Sequence, residues 1–278
     1  MTPATQIQYC PFLEQLSPFV SACIFAEYET TEDNHHYIDI FPVGYSVLSF
    51  GLDDLIHDFL NSDKTLHRFN LTGQLTKFYQ LGIKSGRYRW LSVILKPYGA
   101  YRFFNFPQNT LLNKFVDVAD IVKTDMKPFH DEILGYYANP MQAMQLLQNW
   151  LLKRLDLEVN FEKLEILRIA CDMIDTNDGR KTIKEVCTDI GISKSTLERY
   201  FLEIVGLTPK MYSRIIRFNK VYQILQHGQY ATWQEVIYKY NFYDQAHFIK
   251  DFKTFFNRTP SEVHKSRFNS AEVLGSAG

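Results

Sequence analysis

Cysteine is scarce in this sequence, and the four that occur are not spaced to act together. They are Cys10, Cys23, Cys171 and Cys187, and none of them forms a Cys-x-x-Cys pair. This spacing argues against a structural zinc site and against a disulfide framework, and the sparse usage is typical of a reducing compartment. We therefore predict neither a metal site nor a bound cofactor.

Long apolar runs are missing too. No uncharged stretch approaches the roughly 20 residues that cross a bilayer, and the N-terminus lacks the basic-then-apolar order of a signal peptide. We therefore expect a cytoplasmic protein that makes no contact with a membrane. Low-complexity sequence is confined to the C-terminal end, where residues 269–278 are expected to form a disordered tail.

Apolar and aromatic side chains are abundant, at 46% and 15% of the 278 residues. This composition and length predict a folded protein with room for two domain cores. The charge is uneven, because residues 180–278 hold 15 Lys and Arg against 9 Asp and Glu, whereas residues 1–179 hold 15 against 22. The positive excess predicts that only the C-terminal part meets a polyanion.

Strand-like segments dominate residues 36–106. They are rich in aromatic and β-branched residues, are separated by glycine or proline, and cover 37–41, 45–50, 75–81 and 88–95. Several short strands at this spacing predict a small sheet or barrel. A helix is expected after Gln108, where four apolar residues fall at 4-3-4 spacing: Leu111, Phe115, Val118 and Val122.

A second helix is predicted between Pro140 and Leu155. Its apolar stripe carries Met144, Leu147, Trp150, Leu151 and Leu155. The stripe has two compatible interpretations: it packs on its own domain, or it pairs with a second copy of the chain. We take the first four of these residues as the candidate dimerisation surface of a homodimer. Residues 156–160 then form a short join to a second domain.

One helical pattern occurs twice in the C-terminal part, at an offset of 50 or 51 residues. Each copy begins with the Thr-x-x-Glu of a capping box, which is Thr182 with Glu185 and Thr232 with Glu235. A tight turn and an N-cap then introduce another helix. These positions are Gly191 and Ser193 in the first copy, and Asn241 and Asp244 in the second. Two matched helix pairs can read two successive faces of the DNA groove.

The second helix of each copy has an apolar and a polar face. The apolar residues are Leu197, Phe201 and Ile204 in the first copy, and Phe248, Phe252 and Phe255 in the second. The polar face carries side chains that can reach base edges or phosphates. These candidate DNA-binding residues are Lys194, Ser195, Thr196, Glu198 and Arg199, then Gln245, Ala246, His247 and Lys250, with Ile249 and Lys253 on the same face.

Each copy ends with Thr-Pro, which starts a further helix. After the first copy this helix runs from Pro209 to Gln226, and its 18 residues span roughly 27 Å. The helix can hold the two copies near the ~34 Å separation of successive major-groove faces. Arg214, Arg217 and Lys220 lie three apart on one side, and we count Arg214 and Arg217 among the candidate phosphate contacts.

Residues 165–268 resemble the DNA-binding domain of the AraC/XylS family of bacterial transcription regulators. The resemblance is carried by Gly191-Ile-Ser-x-Ser195-x-Leu197-x-Arg199-x-Phe201, Asn241-Phe-x-Asp-Gln-Ala-His-Phe248 and Phe256-Asn-Arg-Thr-Pro260. It implies a domain of seven helices that contains two helix-turn-helix units, whose recognition helices enter adjacent major grooves. Carried over by position, the base-facing sites are Ser195, Glu198, Arg199, Gln245, Ala246 and Lys250. The chain departs from the family pattern at Asn241, where Gly is usual, and at Glu198, an acid in a recognition helix.

The N-terminal part resembles the family's sensor domains through Phe41-Pro-Val-Gly-Tyr45 and Leu95-Lys-Pro97-Tyr-Gly-Ala100. The implied fold class is α+β: a β-rich, cupin-like or related domain with C-terminal helices, followed by an all-α double helix-turn-helix domain. We assign residues 1–158 to regulation and dimerisation and residues 159–268 to DNA binding.

The sequence therefore predicts a nucleoid-associated transcription regulator, an activator that reads double-stranded DNA with helices near 194–204 and 245–256. RNA polymerase and a small-molecule effector in the N-terminal domain are its expected partners. In the alternative, the N-terminal domain senses nothing and only dimerises or binds a protein. The aromatic residues of segment 79–104 fit either a ligand pocket or a plain core.

A metal-dependent cupin enzyme is a further alternative. His35 and His36 are the only adjacent histidines, and no His-x-His…Glu pattern surrounds them. Asp53, Asp54 and His57 are explained by a polar turn followed by a short helix. We therefore predict no catalytic residue.

Overall fold

A β-rich part at the N-terminus is followed by helices. The computed structural model of the chain describes residues 4–30, 36–53, 57–58, 65–83, 86–226, 233–242 and 244–265. The strands are β1 (Ala4–Cys10), β2 (Val20–Thr30), β3 (His36–Ile40), β4 (Ser46–Gly51), β5 (His57–Asp58), β6 (Thr65–Leu66), β7 (Phe69–Thr72), β8 (Tyr79–Ile83), β9 (Gly86–Leu95) and β10 (Phe115–Asp117). The expected tail at 269–278 lies outside the described residues.

Six of these strands form one antiparallel sheet in the order β1-β2-β9-β4-β7-β10, while β3 pairs with β8 and β5 with β6. Burial alternates along β4, as expected for a strand with one face in the core. The strands predicted at 37–41, 45–50 and 88–95 are confirmed as β3, β4 and β9. The one predicted at 75–81 starts later, at Tyr79.

The helix predicted after Gln108 is confirmed only at its end, where Val118–Val122 form a short helix, and is wrong before that. Residues Gln108–Leu111 form a short 3-10 helix, and Phe115 opens β10, which pairs with β7. Asn113 has a φ of 57°, a value that an α-helix does not contain, and its N–H donates to the Gln74 carbonyl oxygen. The helical spacing arose because Leu111 and Phe115 enter two different buried clusters.

Four helices pack on the central sheet through one apolar core: α1 (Gly99–Phe104), α2 (Val118–Val122), α3 (Lys127–Leu134) and α4 (Pro140–Arg154). The helix predicted at 140–155 is confirmed as α4. Its residues Met144, Leu147 and Leu151 are at most 1% exposed, so placing them on a dimer surface is wrong, because their own sheet covers them. Trp150 stacks on Phe129 and lines an open groove of about 400 Å³ beside α3.

The remaining helices are α5 (Phe161–Thr176), α6 (Ile183–Ile190), α7 (Lys194–Tyr200), α8 (Pro209–Gln226), α9 (Trp233–Lys239), α10 (Gln245–Phe256) and α11 (Pro260–Lys265). A π-helical turn, Phe201–Val205, follows α7. Helix α8 has the 18 residues that the sequence predicts. Within the described ranges, no helix is long and apolar enough to cross a bilayer.

The join between the two parts is tied to α1. Arg102 is buried on α1, and its guanidinium donates to the carbonyl oxygens of Leu155 and Leu157. Asn105 adds a hydrogen bond from Nδ2 to the Glu158 carbonyl oxygen at 2.7 Å. Backbone carbonyl groups outside a helix need other donors, and these three hydrogen bonds hold the short join to the N-terminal part.

The end of β3 and the connection from β3 to β4 contact the C-terminal helices. We call this stretch, residues 39–45, the clamp segment. Its Phe41 packs on Tyr222 of α8 and on Phe256 of α10, with ring centroids 5.8 and 5.5 Å apart. Phe41 belongs to the same buried cluster as the cores of α5 to α11. One continuous apolar core thus spans both parts of the chain.

Two polar contacts reinforce the clamp segment. Asn219 of α8 donates from Nδ2 to the Pro42 carbonyl oxygen at 3.0 Å. Arg258, in the turn after α10, lies with Nη2 3.0 Å from Oδ2 of Asp39. The Asp39 side chain is only 9% exposed, so this ion pair is shielded from solvent more than a typical surface pair.

Beneath the clamp segment lies the carboxyl group of Asp175, on α5. The Tyr212 hydroxyl donates to both of its oxygens, at 2.8 and 3.0 Å. Gly44 has a φ of +81°, and a Cβ there would lie 3.1 Å from the Tyr212 ring, so glycine permits this close approach. Burial raises the pKa of Asp175 to about 7, and the hydrogen bond from Tyr212 only partly opposes that rise.

We predict that Asp175 makes stability fall as the pH rises from about 4 towards 7. Its pKa of about 7 in the folded chain exceeds the ~3.9 of an unfolded aspartate. The folded state therefore binds more protons in that window, and its advantage disappears as the pH rises. Asp175→Asn should reduce the fall in unfolding free energy over this pH window by about 1–4 kcal/mol. Chemical denaturation at several pH values measures the difference.

The matched control is Glu162→Gln, on the first turn of the same helix α5. The Glu162 side chain is exposed, and the variant should retain the wild-type fall in unfolding free energy. An Asp175→Asn protein with unchanged pH dependence would contradict the raised pKa.

Candidate nucleic-acid interface

The first helix pair is built as its sequence predicts. At the start of α6, the Glu185 N–H donates to Thr182 Oγ1 at 3.2 Å and the Thr182 N–H donates to Glu185 Oε2 at 2.8 Å. Gly191 ends α6 with a φ of 79°. Ser193 then accepts from the Thr196 N–H at 3.1 Å and starts α7. The capping box, the turn and the N-cap are all confirmed.

Helix α7 buries one side and leaves the predicted polar side open. Leu197, Phe201 and Ile204 are fully buried, and the residues predicted to face DNA are outward: Lys194, Ser195 and Arg199 exposed, Thr196 and Glu198 half-buried. Lys194 Nζ lies 3.7 Å from Glu198 Oε1. This neighbour offsets the acidic charge that would otherwise repel a phosphate.

The second helix pair repeats the arrangement where it is described. Asn241 has a φ of 53° in the turn after α9 and takes the role of the glycine. Asp244 Oδ1 accepts from the His247 N–H at 2.8 Å and caps α10. Thr232 lies outside the described residues, so the second capping box stays a prediction.

Helix α10 buries Phe248, Phe252, Phe255 and Phe256, each at most 2% exposed. The side chains predicted to face DNA are all exposed: Gln245, Ala246, His247 and Lys250. The structure therefore presents two capped helices whose outward faces carry the candidate base and phosphate contacts.

The two arginines of α8 are not part of this outward surface. Arg214 Nη2 lies 2.5 Å from Oδ1 of Asp251 on α10. Arg217 donates to the Tyr240 and Asn241 carbonyl oxygens at 3.2 and 3.4 Å. Burial, together with the charge of Arg214, lowers the pKa of Arg217. The prediction that they contact phosphate is corrected, because both side chains bind α8 to the second helix pair.

Sequence reasoning missed this ion pair, although one signal was present. Asp251 stands between Phe248 and Phe252 within the apolar side of α10, and it is 8% exposed. A carboxylate at such a position needs a buried cation. The identity of that cation is set by the packing of α8 on α10, which sequence spacing does not supply.

The residues weighed for enzymatic chemistry have structural roles where they are described. Burial raises the pKa of Asp53, but hydrogen bonds from Arg89 outweigh it and hold the pKa below its usual range. Residues 57–58 form β5, so the short helix expected after Asp53 is wrong. Asp54 and His35 lie outside the described residues, and among those described no three His, Cys, Asp or Glu side chains are grouped as a metal site requires.

The aromatic residues of segment 79–104 are divided among separate buried clusters rather than gathered around one cavity. Tyr79 belongs to a small cluster with Phe115, Tyr98 and Tyr101 to the core of the C-terminal helices, and Phe103 and Phe104 to the core under α4. Trp90 is half-buried and stacks on Tyr28. This distribution favours the plain-core interpretation for most of these residues.

Two families match separate parts of the chain. Residues 186–266 match a family described as helix-turn-helix domain. Residues 10–117 match a family described as domain of unknown function, DUF6597. The first match covers α7 to α11, including the outward faces of α7 and α10 described above, and the second covers most of the β-rich part.

An uncharacterized HTH-type transcriptional regulator, YidL of Escherichia coli (strain K12), is 30% identical to this chain over 105 residues. These residues are 38% of this chain and 35% of YidL, so the match spans about a third of that relative. Among solved structures, ToxT from Vibrio cholerae is 11% identical over 94% of this chain and 97% of its own, with a TM-score of 0.45. Unsaturated fatty acid bound wild-type ToxT is 13% identical over 86% and 94%, with a TM-score of 0.43.

We predict that Arg214→Ala destabilises the second helix pair by about 1–3 kcal/mol, because the Asp251 carboxylate loses its main partner inside the fold. Chemical denaturation of the full chain measures the loss. The double variant Arg214→Leu/Asp251→Leu should recover much of it, since no charge is left unpaired.

Lys253→Ala is the control, because Lys253 is an exposed cation on the same helix and its removal should leave stability nearly unchanged. Wild-type stability of Arg214→Ala would mean that Arg214 faces solvent, as the sequence alone suggested.

Proposed function

We propose that this chain, whose C-terminal part is a helix-turn-helix domain of the AraC type, is a sequence-specific DNA-binding regulator of transcription. The observation that carries the proposal is the repeated, capped helix pair with its outward polar face on α7 and on α10. Helices of this kind enter the major groove and meet base edges there. Double-stranded DNA is accordingly the proposed ligand of residues 159–268.

The outward residues divide by chemistry. Arg199 and Lys250 can neutralise phosphates or contact guanine, and we assign them mainly to affinity. Gln245 matches adenine and Glu198 matches the cytosine amine, and we assign them to specificity. Ser195, Thr196, Ala246 and His247 complete the two proposed contact surfaces.

The N-terminal part, residues 1–158, is proposed to control DNA binding through the clamp segment. Phe41 of this segment packs on α8 and on Phe256 at the end of α10. The segment also contacts Asn219 of α8 and Arg258 in the turn after α10. It therefore touches both the helix that connects the two units and the second unit itself. Any change in the β-rich part that moves the clamp segment would alter how the units are oriented.

We propose activation as the mode of regulation, with RNA polymerase as a partner, on the ground of the family resemblance alone. The N-terminal part then has one of two roles: it binds a small-molecule effector, or it only dimerises or binds a protein. In segment 79–104, the division of the aromatic residues among separate cores supports the second role.

The test of DNA binding is selection from a random DNA library with the full-length chain. We expect enrichment of two sequence elements about one helical turn apart. Gln245→Ala should then relax discrimination at one base pair by about 1–3 kcal/mol, whereas Lys250→Ala should weaken all sequences and reduce the salt slope by about 1. Binding is followed by fluorescence anisotropy at several salt concentrations.

The two variants are matched, because both lie on the exposed face of α10 and neither touches its core. If Gln245→Ala weakened binding to all DNA sequences equally, Gln245 would not be a residue that reads a base. A pool that binds with salt dependence but shows no enriched sequence would contradict specific recognition.

We predict that loosening the clamp segment lowers affinity for the two-element site. In Asp39→Asn/Asn219→Ala, the Asn at position 39 keeps an oxygen to accept from Gln80 Nε2, now 2.9 Å from Asp39 Oδ1. The variant nevertheless weakens both polar contacts to the C-terminal helices. We expect about a three- to thirtyfold loss, because the orientation of the units is less fixed before binding.

Asp189→Asn is the control, since it makes the same charge change in an ion pair with Lys181 inside the first unit. It should bind the two-element site about as tightly as the wild-type chain. A gain in affinity for the clamp variant would show that the clamp segment holds an arrangement unsuited to DNA.

A further inference from the structure

The outward face of α10 has an apolar centre. Ile249 is 36% exposed and lies four residues after Gln245 and three after Ala246, both of which are exposed. The helix does not use Ile249 to fill its core, because Phe248 and Phe252 already occupy the buried side with the other phenylalanines. A branched aliphatic side chain is therefore left on the surface proposed to meet DNA.

Exposure alone does not single out Ile249, since isolated apolar side chains are common on protein surfaces. Its position does. Residues 245, 246, 249, 250 and 253 share one helical face, and the exposed Lys250 and Lys253 stand at the end of that face. The face thus combines an apolar patch, Ala246 with Ile249, with cations suited to the DNA backbone.

Helix α7 lacks such a patch. Its exposed residues are Lys194, Ser195 and Arg199, and the half-buried Glu198 pairs with Lys194. Every outward side chain of α7 itself donates or accepts hydrogen bonds or carries a charge. Leu202 is 37% exposed but lies beyond α7, in the π-helical turn, past the N-terminal residues with which a recognition helix contacts base edges. The two units therefore offer chemically different surfaces, although their caps and turns are built alike.

Thymine is the base that presents a methyl group in the major groove, and apolar side chains recognise it there. Residues three apart on a helix have Cβ atoms roughly 5–6 Å apart, which is within reach of methyl groups on base pairs stacked about 3.4 Å apart. An apolar patch gains nothing from the polar edges of guanine or cytosine, because desolvating those groups without a partner is unfavourable.

We propose that Ala246 and Ile249 form a methyl-reading patch, through which the second helix-turn-helix unit selects neighbouring thymines. The proposal rests on the DNA-binding function and adds which chemistry distinguishes the second element from the first. The element read by α10 is thymine-rich at its centre, and the element read by α7 is recognised through hydrogen bonds and charge.

The experiment replaces single thymines of the selected site by uracil, which removes the methyl group and leaves base pairing intact. We expect one or two neighbouring substitutions in the second element to weaken binding of the full-length chain about three- to tenfold each. The same replacement in the first element should change binding less than about twofold.

Variants of Ile249 connect the effect to the side chain. Ile249→Ser should bind the thymine and uracil forms equally at the position that Ile249 contacts and keep the difference only where Ala246 contacts a methyl group, whereas Ile249→Val should retain most of the difference at both positions. Ile and Ser have similar helix propensities, so α10 should stay folded, which circular dichroism checks. Leu157→Ser is the matched control, because Leu157 is 37% exposed but lies in the join between the two parts; it should keep the full difference.

The outcomes separate the two proposals. A wild-type chain that binds no DNA sequence above background would overturn the proposed function, and the methyl-reading patch with it. Sequence-specific binding that is indifferent to uracil throughout the second element would overturn the patch alone. A thymine preference that survives undiminished at every position of the second element in Ile249→Ser would overturn the role of Ile249.

Discussion

Aromatic packing around α8 is the interaction on which the rest of this structure depends. Phe218 contacts the rings of Phe248 and Phe255, and Tyr222 contacts those of Phe256 and Phe41. One helix thereby buries the core of the second unit on one stretch and the clamp segment on another. Each large ring removes a large apolar area from water, so α8, α10 and the β-rich part are stabilised together rather than one by one.

This arrangement also explains where the charges of α8 go. A helix covered by aromatic rings on several sides has little surface left for solvent, and a cation on it must find a partner inside the fold. Arg214 finds the Asp251 carboxylate, and Arg217 finds the carbonyl oxygens at the end of α9. The net positive charge of the C-terminal residues is therefore not a measure of the charge available to a nucleic acid, because part of it is neutralised internally.

Features that depend on neighbouring residues could be predicted from the sequence. The capping box at Thr182, the N-caps at Ser193 and Asp244, and the length of α8 all follow from local hydrogen bonding and from helical periodicity. Features that depend on distant contacts could not. Phe115 entered a strand because β7 was available to pair with it, and the stripe of α4 was predicted correctly as a face, although only the fold decides what covers it. The Asp39–Arg258 pair joins residues 219 positions apart, and no spacing rule reaches that far.

Helix α10 meets two different neighbours with residues that do not overlap. Its outward side chains, such as Gln245 and Lys250, are exposed, while Phe256 in its last turn packs on Phe41. Substitutions at the first set leave the contact with the β-rich part intact, and substitutions at the second leave the outward face intact. During evolution, substitutions on the outward face and substitutions at the contact with the β-rich part can consequently accumulate independently, so the two surfaces can diverge at separate rates.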